Sequence, residues 1–198
     1  MSHKGGKGPG LFYVRSRIAP SAKDFLSEAT FKKWYEEHAE EVVAKSGIHS
    51  LFRYDAASKT DASDGSKPFL TFPVMNDIGF LLSEEFKGIS PTSEILPGTG
   101  NVYDMVEFDV NHLALRKNMM SKKGTSEPAK SIVTVEIQPL TDLEANKLDD
   151  LLDKQVHTLN EELGYTRSLV FESCFSFSSA GGKRLDNLVW LATMWQSG

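Results

Sequence analysis

The order of periodic segments in this 198-residue chain predicts an α+β fold built from two consecutive ferredoxin-like repeats, the second of them incomplete. Three observations carry that expectation. Short runs with strand character alternate with two long amphipathic segments, at 22–45 and 143–164. Each long segment leads into a glycine, Gly47 or Gly164, and then into another strand-like run. The first pass reads strand–helix–strand–strand–helix–strand; the pattern restarts at residue 131 and stops after its third strand.

Taken in order, residues 1–10 (MSHKGGKGPG) read as a flexible arm without the apolar core of a secretory signal. LFYVRSRI (11–18) alternates Phe12, Val14, Ser16 and Ile18 with Leu11, Tyr13, Arg15 and Arg17, the period of a strand. After Pro20 and Ser21 a helix is expected from Ala22 to Lys45, capped by Gly47, with SEAT as a second possible start near Thr30. HSLFRYDA (49–56) and PFLTFPVM (68–75) are strands, and Pro73 marks the latter as an edge strand or a bulge. The polar stretch 57–67 between them is a loop. Asn76-Asp77 caps a short helix over 77–87 with Phe80, Leu81 and Phe86 on its buried face. Residues 89–101 form a turn-rich connection, and 101–116 is a strand. A linker at 119–130 separates the first repeat, 11–118, from the second, 131–198. The second repeat offers a strand at 131–140, a helix at 143–164 with Leu148, Leu151, Leu152, Val156 and Leu159 on one side, and strands at 165–177 and 187–196. The missing final strand leaves a sheet edge that another subunit, a rearranged strand or a further C-terminal segment would have to cover.

Strand parity assigns Phe12, Val14, Ile18, Phe52, Tyr54, Leu70, Phe72, Val74, Val106, Phe108 and Val110 to the helix side of the first sheet. Tyr13, Arg15, Arg17, His49, Arg53, Tyr103, Glu107 and Asp109 fall on the other side, where Arg15 or Arg53 is expected to pair with Glu107.

Composition excludes several classes of function. The chain is 40% hydrophobic and 25% charged with a net charge of −5, and it has no run of five like charges, so a nucleic-acid partner is not expected. Apolar runs such as LFYV and GFLL are far too short to cross a bilayer, so no membrane partner is expected either. The single cysteine, Cys174, cannot close an internal disulfide, which fits a reducing compartment. A soluble cytoplasmic protein is the simplest expectation. LPGTGN (96–101) lacks the third glycine of a dinucleotide loop, and no spacing typical of a zinc site occurs. Neither a metal nor a bound cofactor is therefore expected.

The segment FKKWYEEHAEEVVAKSGIHSLFRY (31–54) poses the functional question. Phe31, Trp34, Tyr35, His38 and Val42 recur at spacings of three and four, which places them on one stripe of a helix. A histidine between large aromatics on a core-facing stripe is either a hydrogen-bonded core residue or a proton carrier facing a pocket. Aromatic walls would hold it neutral, and Glu41 or Glu37 could orient it.

That helix, the strand ending F-R-Y, and the segments GLFYVRSRI (10–18), KPFLTFPV (67–74), ILPGTGNVYDMVEFDV (95–110) and EPAKSIVTVEIQP (127–139) together resemble the dimeric α/β-barrel superfamily. More narrowly they are similar to fungal EthD-like proteins with two fused halves. The resemblance implies a tandem dimeric-α/β-barrel architecture, a homo-oligomer such as a dimer, and a small hydrophobic molecule as partner. It also implies a cofactor-independent enzyme acting on an aromatic or polyketide-like substrate by cyclisation, decarboxylation, isomerisation or lyase chemistry. His38, Tyr35 and Tyr54 are then the catalytic candidates, with Trp34, Phe12, Phe72, Arg53 and His49 around the substrate. A non-catalytic barrel that binds a small hydrophobic ligand is the alternative, and haem binding with His38 or His49 as axial ligand is a third, weaker one. The second half departs from the pattern: Gln155 stands at the position of His38, with His157 two residues on, and Leu151 and Leu152 replace Trp34 and Tyr35.

Overall fold

A computed structural model describes residues 6–57, 66–121, 127–138, 142–179 and 188–196, without the side chains of 142–146. Most of the loop expected at 57–67, much of the SSAGGKRLD connection and the centre of the expected linker lie outside the described residues.

The first repeat contains β1 (Gly10–Ile18), α1 (Glu28–Val43), β2 (Ile48–Asp55), β3 (Phe69–Met75), α2 (Glu84–Lys87) and β4 (Val106–Met120). The second contains β5 (Ser131–Ile137), α3 (Asp142–Leu159), β6 (Tyr165–Ser178) and β7 (Val189–Trp195). The strands form one seven-stranded antiparallel sheet in the order β2-β3-β1-β4-β6-β7-β5. Its first four positions follow ferredoxin-like order, and β6-β7-β5 repeats the first three of them. The compact units do not follow chain order. Met1–His112 groups with Cys174–Arg184, and Leu113–Ser173 groups with Leu185–Gly198, so β4 and β6 contribute to both. Among the described residues no helix is long and apolar enough to cross a membrane.

In the first unit, α1 is shorter than the 22–45 segment. Pro20–Ala22 is a separate 3₁₀ turn, and α1 starts after Ser27, whose Oγ accepts the Thr30 amide at 3.0 Å. That bond satisfies a donor no preceding helical turn can serve, which is why SEAT and not Ala22 opens the helix. Asp77 caps a 3₁₀ turn, Ile78–Leu82, through the Gly79 amide at 2.9 Å. Ser83 then caps the single turn of α2 through the Phe86 amide at 3.1 Å. Ile78 and Leu81 are buried there, while Phe80 and Phe86 are half-buried. Val102–Asp104 is a 3₁₀ turn capped by Asn101, so β4 begins at Val106 and not at 101, and continues to Met120. Within the expected N-terminal arm, Gly8 accepts the Ile78 amide at 2.9 Å, and Gly10 opens β1.

The core of this unit lies between α1 and the sheet, where Phe31, Trp34 and Tyr35 meet Val14, Phe69, Val106 and Phe108. The parity expected for β2 and β3 is reversed. Cross-strand partners Arg53 and Thr71, like Leu51 and Pro73, belong to the α1 side. Phe52, Tyr54, Leu70, Phe72 and Val74 lie on the other. In β2 the reason is a register shift between Ile48 and Ser50, which makes His49 an exposed extra residue and exchanges the two faces; in β3 it is the unbroken pairing with β1, which sets Thr71 opposite Val14. Pro73 is in a central strand and not an edge, two positions from that irregularity. The expected Glu107 ion pair forms with Arg17, at 2.8 Å, and not with Arg15 or Arg53. Arg15 and Lys67 share Asp109, at 3.5 and 3.1 Å.

In the second unit, Leu148 and Leu152 of α3 pack on Val170, Val189 and Leu191. Arg116 and Lys117 of β4 pair with Asp149 and Asp153 of the same helix. Along β5 only β7 is a partner among the described residues, and Val133 and Val135 are exposed.

The two glycines of the repeat work differently. Gly164 has φ +82°, a left-handed conformation, and its carbonyl accepts the Gln196 amide at 2.7 Å. Gly47 does not cap α1, which closes at Ala44 in right-handed geometry. Its missing side chain instead leaves room for the Phe80 ring, which a Cβ there would overlap. Gly47→Ala should therefore lower the unfolding free energy by about 1–3 kcal/mol, the usual range for overpacking. Chemical denaturation reads the loss, and the same substitution in a Phe80→Ala background should be nearly neutral.

Candidate functional site

The inner stripe of α1 does not fill the space beneath it. Phe31 and Trp34 stack at 5.8 Å between ring centroids, and Tyr35 stands edge-on to both. One turn later the stripe continues with the smaller His38 and Val42. Between this stripe and the sheet lies a cavity of about 290 Å³. Trp34, Tyr35, His38 and Val42 form its helix wall. Phe12, Val14, Leu51, Thr71, Pro73, Phe108 and Val110 form its floor on four strands. Leu81, Phe86, Ile89 and Pro91 flank one end, with Lys87, Val102 and Tyr103 beside them. The most solvent-exposed lining residues, Lys87 and Tyr103, mark where it opens. The volume is near the lower end of the ~300–1,000 Å³ typical of ligand pockets.

Two titratable groups, His38 and Tyr35, face the interior of the cavity. His38 lies face to face with Trp34, centroids 4.8 Å apart and planes 16° from parallel. Burial pushes the imidazole below its ordinary 6.5, and Glu41 opposes that shift in part. The nearer Glu41 oxygen is 3.9 Å from Nδ1, a through-space attraction and not a hydrogen bond. Its other carboxylate oxygen accepts the Ser90 amide at 3.3 Å, tying the segment after α2 to α1. Tyr35 is buried, and burial pushes its phenol up to about 12, while its hydrogen bond with Thr71 and the nearby Arg53 pull the other way. It therefore stays protonated throughout the physiological range. The Arg53 guanidinium carbon sits 5.4 Å from the centre of the Tyr35 ring, and Arg53 and Thr71 are cross-strand partners.

Four of the eight residues singled out by sequence meet at the cavity: His38, Tyr35, Trp34 and Phe12. Arg53 reaches it only through Tyr35. Tyr54 and Phe72 are stacked on each other at 5.9 Å on the opposite face of the sheet, away from His38. His49 is exposed in the bulge. Thr71 and Lys87 line the site without any functional signal in the sequence, the first because a threonine in a strand is ordinary, the second because only docking of its turn brings it there; Tyr103, an aromatic with weaker sequence support as pocket lining than Trp34 or Tyr35, lines it too. Of the remaining histidines, His112 packs between the rings of Phe12 and Phe175, at 5.4 and 4.8 Å. In the second unit, Gln155 and His157 are both exposed, so neither faces its core as His38 does in the first. Among the described residues, no three His, Cys, Asp or Glu side chains gather as a metal site.

Comparison with solved structures bears on the fold. The whole chain superposes on 76% of an "anthrone oxidase-like protein" with a TM-score of 0.52 and 17% identity. That likeness shows an α+β fold with an antiparallel seven-stranded sheet and few helices. Two further structures, each described as a "putative monooxygenase", are more distant. The one from Fusobacterium nucleatum has 14% identity and a TM-score of 0.48, with 95% of this chain and 76% of that one aligned. The one from Lactobacillus acidophilus has 11% identity and 0.46, with 95% and 77% aligned. No family model matches the chain, and no curated protein matches it in sequence.

The His38 environment has a measurable signature. In NMR titration its imidazole should protonate with a midpoint below 6.5, and Glu41→Gln should lower that midpoint further. Because the unfolded chain takes up this proton first, the His38 contribution to stability should be intact above 6.5 and lost as pH falls through the folded midpoint. Denaturant melts from pH 7.5 to 5, compared between wild type and His38→Gln, isolate that contribution.

Proposed function

We propose that the protein is a cofactor-independent enzyme that moves a proton on a flat, oxygenated aromatic or polyketide-like molecule held beneath α1. The observation that carries this reading is a neutral imidazole, His38, lining an otherwise aromatic and aliphatic cavity. A base serves best when its pKa lies near or below the working pH and its unprotonated form predominates. Burial gives His38 both properties. A planar guest between Trp34 and the strand floor would offer a phenolic O–H or an activated C–H to the imidazole edge. The phenol of Tyr35, which remains protonated, would polarise the oxygen on which negative charge develops.

Apolar walls strengthen both interactions by excluding water. The reaction class is cyclisation, decarboxylation, isomerisation or lyase-type cleavage, each of which passes through an enolate or phenolate. The description of one structural neighbour supports the same substrate type. An anthrone is a flat tricyclic ketone whose methylene proton is acidic because its loss makes the central ring aromatic. Tyr54 has no part in this scheme, since it lies across the sheet. The superfamily's habit of pairing subunits extends the proposal to a homodimer.

A second reading has an observation of its own. His38 Nδ1 lies beyond hydrogen-bond reach of Glu41, so nothing seen there fixes the tautomer a base requires. Binding of a hydrophobic ligand without turnover would accept that looseness.

Native mass spectrometry of freshly isolated protein should show a retained small aromatic molecule together with the subunit count. With that molecule or a relative as substrate, His38→Gln should reduce kcat by about 10²–10⁴, the usual contribution of a general base. Folding should stay cooperative, and affinity should change little. Unchanged turnover removes the base; bound ligand without turnover in wild type leaves the binding reading.

A further inference from the structure

Among the described residues lining the cavity, Lys87 is the only charged side chain and none is a carboxylate. The lysine stands where the cavity opens, half-exposed at the end of α2. Its position is held from both sides. Glu85 takes both the amide and the hydroxyl of Ser46, each at 2.7 Å, and so anchors α2 to the chain that leaves α1. Glu41 of α1 takes the Ser90 amide three residues after Lys87. The only ion pair of Lys87 among the described residues is with Glu84, at 2.7 Å, on the same turn. Glu84 is almost fully exposed, and such pairs contribute little. The ammonium can therefore leave Glu84 for a ligand at small cost, and the described residues that line the mouth beside it (Phe86, Ile89, Pro91 and Tyr103) carry no carboxylate.

From this we infer that Lys87 is a specificity-determining residue and that the natural ligand is an aromatic carboxylate. Its ring system lies beneath α1 and its acid group points outward to the lysine. This inference rests on the cavity being the substrate site, and it adds the charge and the orientation of the guest. With the carboxylate at the mouth, the opposite edge of the rings faces inward toward Tyr35. A neutral guest gains nothing from Lys87, and a cationic one is repelled by it. The field of the lining thus selects anions, although the protein as a whole is acidic.

Isothermal titration calorimetry of the full chain at low salt, with 2-naphthoate and its neutral isostere 2-naphthamide as probes, tests the assignment. Wild type should prefer the acid by on the order of tenfold, the size of one charge-assisted hydrogen bond. The preference should shrink with added salt. Lys87→Met should remove it while keeping the amide affinity, and Lys87→Glu should reverse it. His38→Gln should leave it in place, which separates this claim from the proposed proton transfer. Equal affinity for acid and amide in wild type, or a preference that survives in Lys87→Met, overturns the role of Lys87 and leaves the cavity reading standing. Failure of both probes to bind wild type overturns both.

Discussion

Phe31, Trp34 and Tyr35 press against one another and against Phe69 on the inner side of α1, and this contact sets how closely the helix can approach the sheet. Large rings hold the first half of the helix away from the strands. The second half presents His38 and Val42, which do not reach across the same gap. The unfilled remainder is the cavity. Close-packed interiors tolerate few voids, so one of this size needs rigid surroundings to persist. Those surroundings are present in the Ser27 cap at one end of α1 and in the Glu85–Ser46 and Glu41–Ser90 contacts at the other. The same aromatic row gives His38 its face-to-face partner and its desolvated state. One packing decision thus creates the void and the neutral imidazole together.

Much of this was readable in the residues themselves. The spacing of Phe31, Trp34, Tyr35, His38 and Val42 put them on one stripe, and four of the five line the cavity. The strand–helix order led to the ferredoxin-like strand order. The failures have physical causes. The polar marks of β2 and β3 mislead: Arg53 and Thr71 lie on the α1 side, while the aromatic Phe52, Tyr54 and Phe72 lie on the other. A single extra residue at His49 decides the sides in β2, and the pairing of Thr71 with Val14 decides them in β3. That is why Tyr54 and Phe72 were assigned to the site and Thr71 and Leu51 were not. Lys87, Ile89, Pro91 and Tyr103 lie in short turns whose position depends on contacts many residues away, and no local periodicity records that.

The two repeats show what the site requires by contrast. In α3, Leu151 points to solvent and Leu152 into a solid aliphatic cluster with Val170, Val189 and Leu191. Without large rings to hold the helix away, its leucines pack directly on the strands. The same scaffold therefore supports either a filled core or a void, and the choice is made by a handful of side chains on one helix face.

The division between wall and floor also bears on stereochemistry. Among the interior lining groups, the two that titrate, Tyr35 and His38, both belong to the helix, and the one hydroxyl of the floor, Thr71, is already engaged with Tyr35. On the proposed reading, a flat guest would meet hydrocarbon with one face and the polar groups of the helix wall with the other. Every proton would then be taken from, or returned to, the same side of its plane, and any carbon centre made in the process would form with a single handedness.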